Sequence, residues 1–211
     1  SADMLLLLNP DTVVRANAID ALFEAANAHP DAQIWGGRTL FADGRLNPSS
    51  CWRRITVWNT FCRTAGLAAL FPRSALFNAE AFGGWRRDTV RDVDIVSGCF
   101  LMITRSLWRK LGGFDPSFYM YGEEADLCLR AHRLGAQPMI TPQATIIHLG
   151  GASETARAAK MIKLLTAKIT LIDRHLTGWR RIVARNLMRA WPLSRLTALS
   201  IAHLIIRTDR I

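Results

Sequence analysis

The sequence is poor in cysteine and in long apolar runs, and it opens without a leader-like pattern. Its four cysteines show neither close pairing nor a histidine at metal-binding spacing. The longest uncharged stretch near the end, residues 196–206, is shorter than the roughly 20 residues that a membrane-spanning helix needs. We therefore expect no zinc site, disulfide framework, signal peptide or transmembrane helix, and a reducing cytoplasmic setting.

Acidic residues are scarce in the C-terminal part of the chain. From Glu154 onward there are 12 Lys and Arg against 3 Asp and Glu, so this tail carries +9 of the total charge of +10. Half of all 211 residues are hydrophobic, which is enough for one globular domain with an appendage. A basic appendage favours an anionic partner, and charge alone does not choose between lipid head groups and nucleic acid.

The first segment predicts a buried strand that ends in a polar turn. The apolar run Met4 to Leu8 stops at Asn9-Pro10-Asp11-Thr12, and a helical pattern follows from Val13 to Ala28, with Asp11 or Thr12 able to cap it. In open α/β sheets ligands bind beyond the carboxyl ends of strands, so this turn is well placed for chemistry. A buried strand needs neighbours, and we therefore expect further chain before Ser1 in the complete protein.

The remaining pattern alternates short strands and helices. We predict strands at 33–35, 39–41, 94–104, 139–140 and 145–147, helices at 105–111 and 123–134, and a loop-and-helix insertion over 51–91. The tail predicts one helix to about residue 176, a break near Gly178, a second helix over 180–191 and a third segment from Pro192. This pattern predicts a domain over 1–153 and a basic amphipathic tail over 154–211.

Three carboxylates crowd the start of the helix at 123–134. Glu123, Glu124 and Asp126 lie in its first turn, where the N-terminal dipole offsets part of their charge. A solvated helix end is the ordinary explanation for such a cluster. The segment before it, residues 112–120, is rich in glycine and aromatic residues, and this combination favours a functional site.

Four stretches in a fixed order resemble family 2 glycosyltransferases, especially the bacterial rhamnosyltransferase-like members that build cell-surface polysaccharide. They are Leu5 to Thr12, Asp94 to Cys99, Gly112 to Arg130 and Ile147 to Gly151. The resemblance implies a GT-A-like (Rossmann-like) mixed α/β sheet flanked by helices. It also implies that the N-terminal strands of that fold are lacking here and that the tail is a basic helical addition.

The resemblance implies a donor site built on the polar turn. Asn9 and Asp11 match a variant of the Asp-x-Asp motif that binds a divalent cation, Mn²⁺ or Mg²⁺, together with the sugar diphosphate. His148 would complete the metal shell, and Gly150-Gly151 would close over the phosphates. The ordinary alternatives are that Asp11 caps a helix and that His148 is a strand-end histidine paired with a backbone carbonyl.

The acidic doublet resembles the catalytic pair of the family. Glu124 would be the general base, Glu123 its neighbour, and Asp126 would help to orient the site. The common residue at the position of Glu124 is Asp, so the reach of the base is longer here by one methylene. Ser97 and Gly98 resemble the segment that lines the donor and acceptor pocket; a structural strand bend is the alternative for both.

The implied function is an inverting transfer of a sugar, with rhamnose as the candidate, from a UDP- or dTDP-sugar to a cell-surface glycan or lipid-linked acceptor. The tail would then hold the enzyme at the inner face of the plasma membrane, unless its helices only pack on the domain. The alternatives are a non-catalytic remnant and a membrane- or nucleic-acid-binding module. No nucleic-acid-binding motif supports the last of these.

Overall fold

The computed structural model describes residues 3–149 and 157–208 and confirms the predicted α/β class, with a mixed sheet flanked by helices and a helical C-terminal part. The strands are β1 Met4–Leu8, β2 Thr12–Val14, β3 Ile34–Leu40, β4 Cys51–Trp52, β5 Arg91–Asp92, β6 Ile95–Val96, β7 Phe100–Thr104 and β8 Met139–His148. The helices are α1 Ala18–Ala28, α2 Val57–Thr64, α3 Leu67–Leu70, α4 Arg105–Leu111, α5 Glu123–Arg133, α6 Arg157–His175 and α7 Gly178–Thr208.

Six strands form the central sheet, in the order β1-β7-β3-β8-β2, with β5 also paired to β8. β7 runs antiparallel to both of its neighbours, while β3 and β8 are parallel. β4 and β6 make a separate two-stranded ribbon. Since β1 ends beside the start of β7, at the pair Leu8 and Phe100, the turns after β1 and before β7 lie next to each other.

The glycines of β3 allow its neighbours to approach closely. A Cβ on Gly37 would collide with the carbonyl oxygen of Ala144 and the ring of Phe100, and one on Gly36 with Val96. Trp35, Phe100 and Met102 lie in the same buried cluster as the inner face of α1. Short side chains at two strand positions therefore let the sheet and helix close around large core residues.

Local predictions succeeded best where neighbours in sequence decide the structure. The bounds of α4 are those predicted, because the side chain of Thr104 caps its first turn and Gly112 ends it with φ 71°. The two strands predicted around Gly36-Gly37 are one strand, β3. The two predicted around Pro142 are likewise one strand, β8, whose pairing with β3 shifts register after Gly37.

Two predictions for the first segment were wrong. β1 is half-buried along most of its length and not fully buried, because within the described residues β7 is the strand that pairs with it. The predicted helix start at Val13 is strand β2, which pairs with β8, and α1 begins only at Ala18 after Asn17 in a left-handed conformation. Pairing of the β-branched Val13 and Val14 with a remote strand outweighed the helical periodicity.

The chain divides into two compact units. The first contains 1–54 and 85–167, and the second contains 55–84 and 168–211. The predicted boundary at residue 153 lies outside the described residues. In the second unit the hydroxyl of Thr64 on α2 donates to the carbonyl of Leu187 on α7, and the Arg63 guanidinium lies 5.5 Å from the ring centroid of Trp191.

The tail has the predicted break before Gly178, but α7 then continues through Pro192 to Thr208, so the third segment predicted from Pro192 is wrong. A proline inside a helix removes one backbone hydrogen bond and usually kinks or ends it. Side-chain packing of this helix on α2 supplies stabilisation that local propensity lacks. Within the described residues, the helices are all too short or too polar to cross a membrane.

Candidate active site

The polar turn after β1 is tied to the turn before β7. The N–H of Asn9 donates to the carbonyl of Cys99 at 3.1 Å, and the Thr12 hydroxyl donates to the carbonyl of Asn9 at 2.6 Å. Asp11 precedes a strand, so the alternative that it caps a helix is wrong. The backbone of the turn that carries Asp11 is therefore held by hydrogen bonds of Asn9 and Thr12.

His148 lies at the end of β8, where it pairs in register with Thr12 of β2. Its Nε2 is 3.2 Å from Oδ1 of Asp11, and both side chains are about one quarter exposed. The N–H of Leu149 donates to the carbonyl of Asp11, which fixes the turn against the strand end. The ring of His148 thus faces a carboxylate. Gly150 and Gly151, which were predicted to close over the phosphates, lie outside the described residues.

Asp11 and His148 present a carboxylate oxygen and an imidazole nitrogen 3.2 Å apart, and these two groups would be the protein ligands of a divalent cation bound here. Over residues 3–149 and 157–208 no three His, Cys, Asp or Glu residues converge as a ligand set. Hard cations commonly complete their shell with phosphate oxygens and water, which two protein ligands leave room for.

The turn formed by Ser97, Gly98 and Cys99 connects β6 to β7. The N–H of Ser97 donates to the carbonyl of Ser50 at 2.9 Å, which anchors the turn. A Cβ built on Gly98 would lie 3.4 Å from Cβ of Glu124, so the backbone of this turn borders the predicted base. The tertiary structure therefore brings the predicted residues Asn9, Ser97, Gly98 and Glu124 together around one turn.

The carboxylate of Glu124 forms no ion pair with a described residue. Within the described part of the chain its Oε2 is buried and accepts no hydrogen bond, and the same is true of Oε2 of Glu123. Burial, followed by the neighbouring charge of Glu123, raises the pKa of Glu124 to about 7. A carboxylate of that pKa exists in both protonation states near neutral pH, which suits proton transfer.

The backbone before α5 aims these two carboxylates. Tyr121 and Gly122 both have left-handed conformations, with φ 69° and 91°, and no side chain caps the helix. A Cβ on Gly122 would lie 3.2 Å from the ring of Phe118 and 3.3 Å from Cβ of Ala167. Glycine is therefore required here for both conformation and space.

Asp126 is buried and forms an ion pair with Arg130 at 2.6 Å. Arg130 also donates to the carbonyls of Leu111 and Gly113, at 2.7 and 2.9 Å. Asp126 therefore acts on the site through Arg130, which ties the loop after α4 to α5; its predicted role in orienting the site stays a prediction. Arg130 was not among the predicted site residues, although the i, i+4 spacing of opposite charges on a helix indicates such an ion pair.

Asp94, the first residue of the matching stretch Asp94 to Cys99, is held by two residues that the sequence pattern did not connect with it, Arg54 and His132. The guanidinium of Arg54 donates to its carboxylate at 2.6 Å, and the N–H of Arg54 donates to the same group at 3.1 Å. Nε2 of His132 on α5 is 3.1 Å from its carbonyl oxygen. These contacts join β4, β6 and α5 beside the Ser97 turn, and no sequence pattern linked residues so far apart.

Comparison with known proteins identifies relatives over nearly the whole chain, although no protein-family model matches it. The N-acetylglucosaminyl-diphospho-decaprenol L-rhamnosyltransferase of Mycobacterium tuberculosis is 30% identical over 98% of this chain. The rhamnosyltransferase WbbL of Escherichia coli is 38% identical over 69% of it. One similar solved structure is the mannosyltransferase PcManGT from Pyrobaculum calidifontis in complex with GDP-Man and Mn²⁺. The alignment covers 95% of this chain and 50% of the PcManGT chain, with 12% sequence identity and a TM-score of 0.49.

The relatives are longer than this chain. It spans 65% of the length of the mycobacterial protein and 52% of the length of the E. coli protein. The similarity to the first covers both compact units, so it includes the acidic start of α5 and the basic helices.

Proposed function

We propose that this chain, a member of the rhamnosyltransferase-like glycosyltransferases, provides the catalytic base and part of the donor site for an inverting transfer of a sugar. The observation that carries this proposal is Glu124, an enclosed carboxylate with a pKa of about 7 at the start of α5, against the backbone of Gly98. Its position next to the turns after β1 and before β7 is where an α/β sheet binds ligands.

The reaction is a single displacement. Glu124 accepts the proton of an acceptor hydroxyl while that oxygen forms a bond to the anomeric carbon of the donor. The bond between this carbon and the diphosphate oxygen breaks, so the configuration inverts and the nucleoside diphosphate leaves. Oε2 of Glu124 accepts no hydrogen bond from the described residues, so its lone pairs are not already engaged by the protein.

Asp11 and His148 hold the diphosphate end of the donor in this proposal, with Asn9 beside them. A divalent cation, Mn²⁺ or Mg²⁺, bound by this pair would supply positive charge to the leaving diphosphate. The contact of Asp11 with His148 keeps the carboxylate and the ring next to each other at the end of β8.

The substrates proposed are a dTDP- or UDP-sugar, with rhamnose as the transferred group, and a lipid-linked glycan acceptor. The names of the mycobacterial and E. coli relatives support this choice. We place the chain in family 2 of these enzymes, with a GT-A-like fold, on the order of its four matching stretches. The alternatives of a non-catalytic remnant and of a nucleic-acid-binding module gain no support from the geometry of the site.

A peripheral position at the inner face of the plasma membrane accompanies this proposal. It is supported by α7, whose basic residues include Arg180, Arg181, Arg185 and Arg189. Each basic residue near an anionic bilayer contributes about 1 kcal/mol of binding free energy. A lipid-linked acceptor would be presented at the same surface.

The test is calorimetric titration of the chain with Mn²⁺ and either UDP or dTDP. We expect nucleotide binding that requires Mn²⁺ and that Asp11→Ala abolishes, because the carboxylate is one of two proposed protein ligands. The matched control is Asp20→Ala, which removes an exposed carboxylate on α1 and should leave binding unchanged. Absence of binding for both nucleotides would instead identify the chain as a non-catalytic remnant.

A further inference from the structure

Four aromatic rings form an exposed cluster in the second compact unit. The ring centroids of Trp58 and Phe61 are 5.8 Å apart, those of Trp58 and Phe77 are 6.4 Å apart, and those of Phe71 and Phe77 are 5.2 Å apart. Two leucines, Leu70 and Leu76, lie next to these residues in sequence. We call these six residues the aromatic patch.

The aromatic patch presents apolar surface to solvent. The exposed fractions are 43% for Trp58, 42% for Phe61, 71% for Leu70, 49% for Phe71 and 59% for Leu76. The indole N–H of Trp58 donates to the carbonyl of Leu76 at 2.9 Å, so its polar group is already bonded within the cluster. Contiguous exposed apolar surface of this kind is uncommon on monomeric proteins and marks an interaction site.

The charges around the aromatic patch are few and basic on balance. Residues 55–84 contain three charged side chains, Arg63, Arg73 and Glu80, and Arg63 donates to the buried Glu80. Arg73 is exposed and lies two residues after Phe71. The whole unit, 55–84 with 168–211, holds 11 Lys and Arg against 3 Asp and Glu, so it carries +8 of the total charge of +10.

Helix α7 of the same unit has apolar residues on two opposite faces. Ala184 and Met188 are buried, as expected for the face that packs inward. On the other side Trp179, Ile182, Leu193 and Leu196 are each at least 60% exposed, with arginines between them. An apolar outer stripe flanked by arginines is typical of helices that lie in a bilayer interface.

We infer that the aromatic patch is a contact site for an anionic lipid bilayer, with its rings and leucines entering the boundary between head groups and acyl chains. The inference extends the proposed membrane position and rests on it, because it assigns to residues 58–77 a contact that the sequence analysis reserved for the tail. Trp and Phe favour this boundary, and a unit of charge +8 complements anionic head groups. A protein partner would have to be strongly acidic as well as apolar to match the same surface.

The test is flotation of the full chain with vesicles of about 3:1 phosphatidylcholine to phosphatidylglycerol, and with pure phosphatidylcholine as a neutral comparison. The variant is Leu70→Ser with Phe71→Ser. The matched control is Phe23→Ser, an exposed phenylalanine on α1 in the other unit. We expect the double variant to bind anionic vesicles at least about tenfold more weakly, and the control to bind like the parent chain.

Salt separates the two contributions. Apolar insertion survives high ionic strength, whereas attraction between arginines and head groups is screened. The parent chain should retain part of its binding in about 0.5 M NaCl, and the double variant should lose that part. Leu76→Ser is a second variant with the same expectation, and unchanged thermal unfolding midpoints show that each variant is folded.

Unchanged vesicle binding by both patch variants would overturn the inference. So would a change of oligomeric state in the double variant without loss of vesicle binding, because the aromatic patch would then be an interface between copies of the chain. Mn²⁺-dependent nucleotide binding, measured on the same samples, is independent of the patch. Its loss or survival therefore reports on the proposed function separately from the membrane contact.

Discussion

Two glutamates, one in each compact unit, have pKa values that are shifted in opposite directions. Glu124 lies in the candidate active site without a cation partner among the described residues, and burial together with the charge of Glu123 raises its pKa to about 7. Glu80 receives hydrogen bonds from both Arg63 and Lys168. Burial alone would raise the pKa of Glu80, but the charges of Lys168 and Arg63 outweigh it and lower the pKa to about 2.

The difference distinguishes a carboxylate that stabilises the fold, Glu80, from one that is suited to proton transfer, Glu124. Glu80 stays ionised until the pH falls to about 2, and it joins α2 and α6 to the segment between them. Glu124 retains a proton until the pH nears 7, which makes its ionised form a stronger base. A buried carboxylate that is paired stabilises the fold, and one that is left unpaired can exchange protons.

The largest expected effect is on catalysis. Glu124→Gln should lower the transfer rate by about 10²- to 10⁴-fold, because the amide cannot accept the acceptor proton. In the parent the rate should rise with pH through about 7, as Glu124 loses its proton. Steady-state turnover of a nucleotide-sugar across pH 5 to 9, values chosen to bracket that pKa, measures both effects.

The control for this prediction is Glu80→Gln, assayed per folded molecule, which should leave the pH profile unchanged. If Glu124→Gln kept the parent rate and pH profile, the assignment of the base would be wrong, and Glu123→Gln should then be tested in its place.

The next effect is on stability through Glu80. Glu80→Gln should lower the free energy of unfolding by about 3 to 5 kcal/mol, because it leaves Arg63 and Lys168 without their buried carboxylate. The folded pKa is below the ordinary value of 4.5, so this stabilisation is present above about 4.5 and is lost as the pH falls toward 2. Urea unfolding at pH 7 and at pH 3 measures the change.

The variant should show a weaker acid dependence than the parent between these two pH values. An equal loss of stability in both proteins would indicate that other carboxylates dominate acid unfolding.

The third effect is a gain of stability on removal of the Glu124 carboxylate, opposite to the loss expected for Glu80→Gln. Its folded pKa lies above 4.5, so its contribution is favourable below pH 4.5 and is lost as the pH rises through about 7. Glu124→Gln should therefore raise the free energy of unfolding by about 3 kcal/mol at pH 8 and leave it unchanged near pH 4. A destabilised variant at pH 8 would show that the carboxylate has an unrecognised partner.

The smallest effect is expected from Gly98→Ala. The added methyl group would lie 3.4 Å from Cβ of Glu124, which is ordinary contact, so stability should change by less than about 1 kcal/mol. The methyl group excludes solvent from the carboxylate, and the pH midpoint of the rate should move upward. The same substitution in the Glu124→Gln background should leave the pH dependence unchanged, which identifies Glu124 as the group affected.

The sequence indicated the residues of the candidate site better than it indicated the residues that hold them in place. Asp11, His148 and Glu124 could be selected because they lie in recognisable stretches of chain. Arg54 and His132, which hold Asp94, belong to segments far apart in sequence and to no motif. The strand β2 was mistaken for helix because Val13 and Val14 gain their pairing from β8, more than a hundred residues later.

What the sequence by itself determined is the content of each local segment: the polar turn after β1, the helix from Arg105 to Leu111, and the acidic start of α5. These depend on interactions among residues a few positions apart. Only the tertiary structure decided that Asp11 meets His148 and that Gly98 borders Glu124. It also decided that the pKa of Glu80 is lowered while that of Glu124 is raised. The physical reason is that a pKa depends on burial and on the charges that remote segments bring near, and neither is a property of local sequence.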